Sequence, residues 1–278
     1  MQCKEQLNYE AIAAQPVIVH PHDAVELWVV GCGGTGSFLV QLLCRIVQHF
    51  QTQGVSIKLI LVDPDTVEPH NLTRQCFCPA EVGLNKAMAL AARYGITWEF
   101  PIEAIASPFE RQMLNTSYRT LTVLLGCVDN ANARATFAKT LEYNTYYEAP
   151  RLWWIDSGNG DRYGQVLIGS NLSPLPDDYA PTELGWLQLP APSAQAPELL
   201  VSRVEESQSS TLSCAQLTQL NQQGLLVNPQ AAVIMAEVTA ALLTAKLKRF
   251  AVYFDQTTGL MRSSYTTVEA VRASLPFP

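Results

Sequence analysis

Gly31-Cys32-Gly33-Gly34-Thr35-Gly36-Ser37 stands between a short apolar run, Glu26 to Val30, and an amphipathic segment. Glycines at such a place let the backbone turn sharply and approach a ligand closely. A helix that begins there offers unpaired N–H groups and a positive dipole end to an anion. Gly31, Gly33 and Gly36 fit Gly-x-Gly-x-x-Gly, with Gly34 between them, which indicates nucleotide phosphates, from a dinucleotide or a mononucleotide. The plainer alternative is a tight turn that helix–sheet packing requires. Asp63 closes a second apolar run, with Asp65 just beyond it, and an acid there can accept hydrogen bonds from ribose hydroxyls. Asn71, Arg74 and Gln75 follow in a polar segment, and Lys86 comes soon after. Asn, Arg and Lys are the donors that hold a triphosphate and spread its developing charge. Asp129 closes a third apolar run, where an acid facing the same crevice can hold Mg²⁺.

These residues need elements to carry them. Leu27 to Val30 reads as a buried strand, and after Gly36 the positions Phe38, Leu39, Leu42, Leu43, Ile46, Val47 and Phe50 recur at helical spacing until Gly54. Ile57 to Val62 is the next strand. Strand, glycine turn, helix and strand form a βαβ unit, which demands a parallel sheet. Leu84 to Tyr94 is expected helical and ended by Gly95, with Ile96 to Phe100 extended. Leu121 to Val128 is a strand followed by a helix from Asn130 to about Tyr143. Leu152 to Ile155 and Gln165 to Ile168 are strands separated by a loop carrying Gly158, Gly160 and Gly164. Residues 171–212 have no sustained periodicity and read as an irregular Pro- and Ser-rich excursion. Asn228-Pro229 suits an N-cap and first helical position for a helix to about Arg249, apolar on nearly all sides as far as Leu243 and so buried, in this chain or against another subunit. Phe250 to Asp255 and Leu260 to Thr267 suggest a closing hairpin. With residues 1–24 as an N-terminal extension, the expectation is one α/β domain over residues 1–278.

The glycine turn, Asp63-x-Asp65-x-Val67-x-x-x-Asn71-Leu72-x-Arg74-Gln75, Gly83-x-x-Lys86 and Cys127-x-Asp129-Asn130-x-x-x-Arg134 together resemble the ThiF/MoeB/HesA family, relatives of ubiquitin-activating enzymes. The likeness covers roughly residues 25–170 in motif order and spacing, and more loosely the helix and hairpin after Cys214. Within the family, the Val29-Val30-Gly31 opening, the Cys214 region and the lack of zinc motifs look most like the ThiF-type members of plasmid-associated PRTRC systems. The resemblance implies a Rossmann-like, mostly parallel sheet with helices on both faces, plus a C-terminal helix and β-hairpin. It also implies ATP and Mg²⁺ as cofactors, and adenylation of the C-terminal carboxylate of a small ubiquitin-like protein ending in glycine. Carried over by position, Gly31, Gly33, Gly34 and Gly36 would lie against the nucleotide, Asp63 would hold the ribose, and Asp65 would belong to the same nucleotide site. Asn71, Arg74 and Lys86 would contact the phosphates, Gln75 would support them, and Asp129 would bind the metal. The arginine matching Arg74 commonly reaches into a neighbouring subunit, which implies a homodimer. Such chemistry requires no protein nucleophile, because the substrate carboxylate attacks the α-phosphorus itself, and no catalytic histidine is expected among His20, His22, His49 and His70.

Many relatives carry two Cys-x-x-Cys zinc pairs. Here the only close pair is Cys76-Phe77-Cys78, so no zinc is expected. Cys214 precedes the last long helix, as a family cysteine does that in some relatives takes the acyl group as a thioester or forms a persulfide-type link. A small buried residue at a helix start is the competing reading. Cys32 and Cys127 read as packing residues.

Composition limits the alternatives. The chain has 278 residues, 48% hydrophobic and 15% charged, which suits a folded core. Eighteen basic residues against 25 acidic ones give a net charge of -7, against nucleic acid as a general partner and against a tRNA-modifying role. No membrane span or secretory signal is apparent, and the expected compartment is the cytoplasm. An NAD-dependent oxidoreductase would explain the glycine turn and Asp63 but leave Asn71, Arg74 and Lys86 without a task. A non-catalytic binding module would not need Arg74, Lys86 and Asp129 together.

Overall fold

The computed structural model describes residues 8–114, 117–144, 150–202 and 224–276. In chain order the main elements are α1 (Tyr9–Ala13), β1 (Ala24–Val30), α2 (Gly34–Thr52), β2 (Ser56–Val62), α3 (Lys86–Trp98), β3 (Glu103–Ile105), β4 (Thr120–Gly126) and α4 (Ala131–Thr140). They continue with β5 (Leu152–Asn159), β6 (Tyr163–Gly169), α5 (Pro192–Gln195), α6 (Val227–Leu243), β7 (Arg249–Asp255), β8 (Leu260–Tyr265) and α7 (Val268–Ala273). Among the described residues the strands form one sheet, ordered β3-β2-β1-β4-β5-β6-β7-β8. The first five are mutually parallel, and β5 to β8 pair antiparallel. The expected mixed α/β architecture, mostly parallel and closed by a hairpin, is therefore present.

The strands alternate inward residues between two cores, as a sheet covered on both faces must. Val25, Leu27 and Val29 of β1 join Leu39, Leu43 and Val47 of α2, Leu90 of α3 and Met235 of α6 on one face. Trp28 and Val30 point the other way, towards Phe137 and Ala138 of α4. α6 is buried within its own chain, against α2, β5 and β6.

Several boundaries differ from expectation. Gly95 does not end α3; the helix runs on to Trp98 and stops at Glu99 in the left-handed region, φ 57°. A helical glycine costs only about 1 kcal/mol, less than the packing of Leu90 and Tyr94 on the sheet returns, and the extended segment moves on to Glu103–Ile105. Gly158 and Gly164 lie inside β5 and β6 rather than in a loop, because Asn159 and Gly164 still pair across the hairpin. α6 begins at Val227, with Leu226 as N-cap, and ends at Leu243, so Asn228 lies within its first turn and the segment to Arg249 is not helical. Residues 171–202 are irregular but not loose. Tyr179, Trp186, Leu189 and Leu199 are buried in the larger core, and the Trp186 indole donates to the Thr266 carbonyl at 2.9 Å. Within the N-terminal extension, Val17 is buried and bridges Trp186, which anchors the segment to the excursion.

Apolar packing thus holds the described part of this excursion. We expect Trp186→Ala to cost about 3–5 kcal/mol in urea unfolding, as for other fully buried tryptophans. A loss below about 1 kcal/mol would show that the excursion is an independent cover.

Candidate functional site

The chain leaves β1 towards β2 and β3 on one side, and β4 leads to β5 on the other. The strand order therefore reverses between β1 and β4, whose last residues Val30 and Gly126 pair in register. Ligands of open α/β sheets bind in the crevice beyond the C-terminal strand ends at such a reversal. Of the residues singled out by sequence, the glycine turn, Asp63 and Asp129 lie at these strand ends, and the loop that carries Asn71, Arg74, Gln75 and Lys86 follows β2.

Gly31 has φ +89°, and a Cβ there would stand 2.6 Å from the Cys127 carbonyl oxygen. No other residue type fits that turn without moving the end of β4. A Cβ on Gly36 would penetrate the Gly31 carbonyl, so α2 can start this close to its own strand only through glycine. Gly33 caps α2 without a side-chain hydrogen bond, whereas Asn85 and Asn130 cap α3 and α4 with theirs. The first turn of α2 thus keeps its dipole end uncovered by a cap side chain.

Asp63 is buried at the end of β2 and accepts from the N–H groups of Cys32 at 2.6 Å and Asp65 at 2.8 Å. Burial pushes its carboxyl above the usual range, opposed by those two N–H bonds and by the charge of Lys86. A carboxylate has about four acceptor positions, so two backbone bonds leave room for ribose hydroxyls. The following loop is folded by short polar bonds. Asn85 donates to the carbonyls of Asp63 and Asp65 at 2.8 and 2.9 Å. Lys86 is buried, and its ammonium meets Asp65 Oδ2 at 2.9 Å, the aspartate side chain being largely exposed. Asn71 is buried and accepts from the Glu68 N–H, shaping the 3₁₀ turn at Pro69–Thr73. Gln75 lies against Gly33, and its Oε1 is buried without a hydrogen-bond partner. Arg74, beside it, is half-buried and forms no ion pair or side-chain hydrogen bond with the described residues. Asp129 is exposed just past β4, while Asn130 accepts from the Ala133 N–H at 2.9 Å as the α4 cap. Capping by Asn130 and an exposed carboxylate on the adjacent Asp129 therefore coexist.

Two cysteines of the crevice are inert by environment. Burial pushes the Cys32 and Cys127 thiols well above the ordinary range, the opposite of what an activated thiolate needs. Cys214 lies outside the described residues.

Sequence reading missed a buried ion pair. Arg134 Nε meets Asp156 Oδ2 at 3.1 Å, and its Nη2 donates to the carbonyls of Val128 at 2.7 Å and Ser157 at 3.3 Å. The link fixes the backbone on which Asp129 is carried. Arg134 stood in the motif, but nothing in the sequence pointed to Asp156 on the neighbouring strand. It also missed Asn159 and Asn228, which reach Thr35 from β5 and α6.

The ThiF family model matches residues 22–264. Ubiquitin-like modifier-activating enzyme 5 of Drosophila melanogaster is 29% identical over 168 residues, 55% of this chain and 34% of that protein. The Bombyx mori protein of the same name is 32% identical over 163 residues, 54% of this chain and 35% of that protein. The chain thus spans about a third of the length of these curated relatives. Among solved structures, E. coli MccB with ATP superposes with TM-score 0.53 at 15% identity, covering 88% of this chain and 64% of that one. PaaA superposes with TM-score 0.54 at 16% identity, covering 87% and 64%. At such identities these two show a shared fold.

The Arg134–Asp156 link carries a pH signature. Burial pushes the Asp156 carboxyl up to about 6, against the pull of Arg134. The folded state then holds the proton more tightly than the unfolded chain, whose aspartates titrate near about 3.9. Its contribution to stability is complete below about pH 4 and is lost as pH rises through about 6. The stability of the native protein relative to Asp156→Asn should fall between these pH values, measured by paired urea titrations. A gap that stays level would contradict the raised carboxyl.

Proposed function

The chain belongs to the ThiF family, and on that premise we propose that it adenylates the C-terminal carboxylate of a small protein with ATP. The observation that carries this reading is the buried Lys86 ammonium, whose field reaches both Asp63 and Cys32 beside the glycine turn. A dinucleotide oxidoreductase has no use for a buried cation there, whereas a triphosphate must be met by one. The half-buried Arg74 guanidinium adds an uncommitted positive charge, and the unpartnered Gln75 Oε1 against Gly33 suits a donor supplied by a ligand. The relatives named ubiquitin-like modifier-activating enzymes support a small protein as substrate, and the family resemblance of the sequence implies a glycine at its C-terminus.

In this reading the glycine turn and the N-terminus of α2 receive phosphate oxygens, and Asp63 accepts from the ribose. The substrate carboxylate attacks the α-phosphorus, the bond to the β-phosphate oxygen breaks, and pyrophosphate leaves while an acyl-adenylate remains. Lys86 moves from Asp65 to phosphate, a short exchange of one anion for another. Arg74 and Lys86 offset the charge that passes to the leaving group. Among the described residues no three His, Cys, Asp or Glu side chains form a metal cage. Mg²⁺ that arrives with ATP needs only one or two carboxylates, and the free Asp129 suits that task; when bound, the ion draws charge from the phosphates.

The finer assignments belong to the same proposal. A homodimer in which Arg74 serves a neighbouring subunit fits its lack of a partner in the described chain. Membership of the PRTRC type and a cytoplasmic setting rest on the sequence features given above; no described helix is long and apolar enough to cross a membrane. Cys214 would take the acyl group from the adenylate as a thioester, with AMP leaving.

Two measurements test the reading. ATP–pyrophosphate exchange should depend on an added small protein ending in glycine and fall at least about 100-fold in Arg74→Ala and in Asp129→Ala. Normal exchange in both variants would remove these residues from the site. A thiol-sensitive conjugate should vanish in Cys214→Ala while exchange persists; a conjugate that survives the change makes the cysteine structural.

A further inference from the structure

The polar cluster of Thr35, Asn159 and Asn228 has no part in the chemistry above. Thr35 donates its hydroxyl to Asn228 Oδ1 at 3.4 Å, and Asn159 Nδ2 donates to Thr35 Oγ1 at 2.7 Å and to Asn228 Oδ1 at 3.0 Å. Thr35 and Asn228 are buried, at 5% and 2% exposure. The Asn228 amide presses on the glycine turn, lying 2.8 Å from where a Cβ of Gly34 would stand. Three elements meet here, the first turn of α2, the end of β5 and the first turn of α6.

α2 and α6 are both long helices whose N-caps make no side-chain hydrogen bond. In α6 the Val227 N–H already donates to the Gly224 carbonyl at 3.3 Å and Pro229 has no N–H, so α6 serves as a support for the start of α2 rather than as a second anion site. Burying amides and a hydroxyl between them is unfavourable unless every group is satisfied. The cluster satisfies the Thr35 hydroxyl, the Asn228 Oδ1 and the Asn159 Nδ2, and it holds the first turn of α6 against the glycine turn.

We propose that Asn228 and Asn159, acting through Thr35, are positioning residues that clamp the first turn of α6 against the start of α2 and so hold the glycine turn in the shape that receives the nucleotide phosphates. The proposal rests on the adenylation reading for the identity of the anion, but the clamp itself does not. It predicts binding energy that is the same in ground state and transition state, because the phosphates occupy the pocket in both. Loosening the clamp then raises KM for ATP and leaves kcat unchanged.

Thr35→Val keeps the shape and removes the hydroxyl, and Thr35→Ser restores the hydroxyl. With Mg²⁺–ATP in calorimetry, Thr35→Val should weaken binding about tenfold, the worth of one hydrogen bond, with Thr35→Ser within about twofold of the native protein. Amide hydrogen exchange at residues 33–37 should speed up in Thr35→Val while the amides of β4 keep their protection. Asn228→Asp retains both accepted bonds but sets a negative charge in the pocket, so it should keep the turn protected and weaken ATP more than Thr35→Val does. Unchanged exchange at residues 33–37 in Thr35→Val overturns the clamp, as does faster exchange spread evenly over the sheet or failure of Thr35→Ser to restore it. A native protein that binds no ATP overturns the adenylation reading instead, and the exchange data still decide the clamp.

Discussion

α2 begins almost in contact with the strand that leads into it. The Gly36 Cα sits so close to the Gly31 carbonyl that no side chain can stand between them, and Gly31 in turn lies under the Cys127 carbonyl at the end of β4. This close approach brings a helix dipole, two strand ends and the loop after β2 into one crevice. Asp63 then accepts from the Cys32 N–H because the turn has already carried that group to it. Ser37 accepts from the Cys76 N–H at 2.9 Å and ties the polar segment to the same helix. Were the turn wider, the donors would remain in the chain but would no longer converge.

Charge is handled differently at the two sides of the crevice. On the β2 side, Lys86 is buried and pairs with the exposed Asp65, so the ammonium can give up this carboxylate only as another anion takes its place. That suits a residue that must change partners. On the β4 side, Arg134 and Asp156 are both buried, and separating them would strand a charge in a poor dielectric. That pair is a strut. The same chemistry, cation to carboxylate, thus serves a mobile task at the surface and a rigid one in the interior.

Much of this was legible beforehand where the signal is local. The β1 strand, the glycine turn, the α2 stripe and the Asn130 cap follow from apolar spacing and short-range hydrogen bonding, and all lie where expected. The failures share a cause. Gly95 should punctuate a helix and Gly158 should punctuate a strand, but packing of Leu90 and Tyr94 in one case and cross-strand pairing in the other outweigh a penalty of about 1 kcal/mol. Residues 171–202 carry no periodicity, yet Trp186 and Tyr179 are fully buried, because an irregular backbone can still present large apolar side chains to a core.

Residue type and spacing by themselves determined the chemical inventory: a glycine turn for phosphate, an acid at each of two strand ends, and Arg74 and Lys86 for charge. They also determined the βαβ order that makes a parallel sheet obligatory, since a right-handed crossover between parallel strands has one common solution. Only the tertiary structure decided which of these side chains are free and which are committed. It tied Arg134 to Asp156, left Arg74 and Asp129 without an ion pair among the described residues, and set Asn228 against Gly34 across 193 residues of chain from Thr35. Partners so distant along the chain leave no periodicity to read, because their meeting depends on sheet order and helix packing, which are properties of the whole fold.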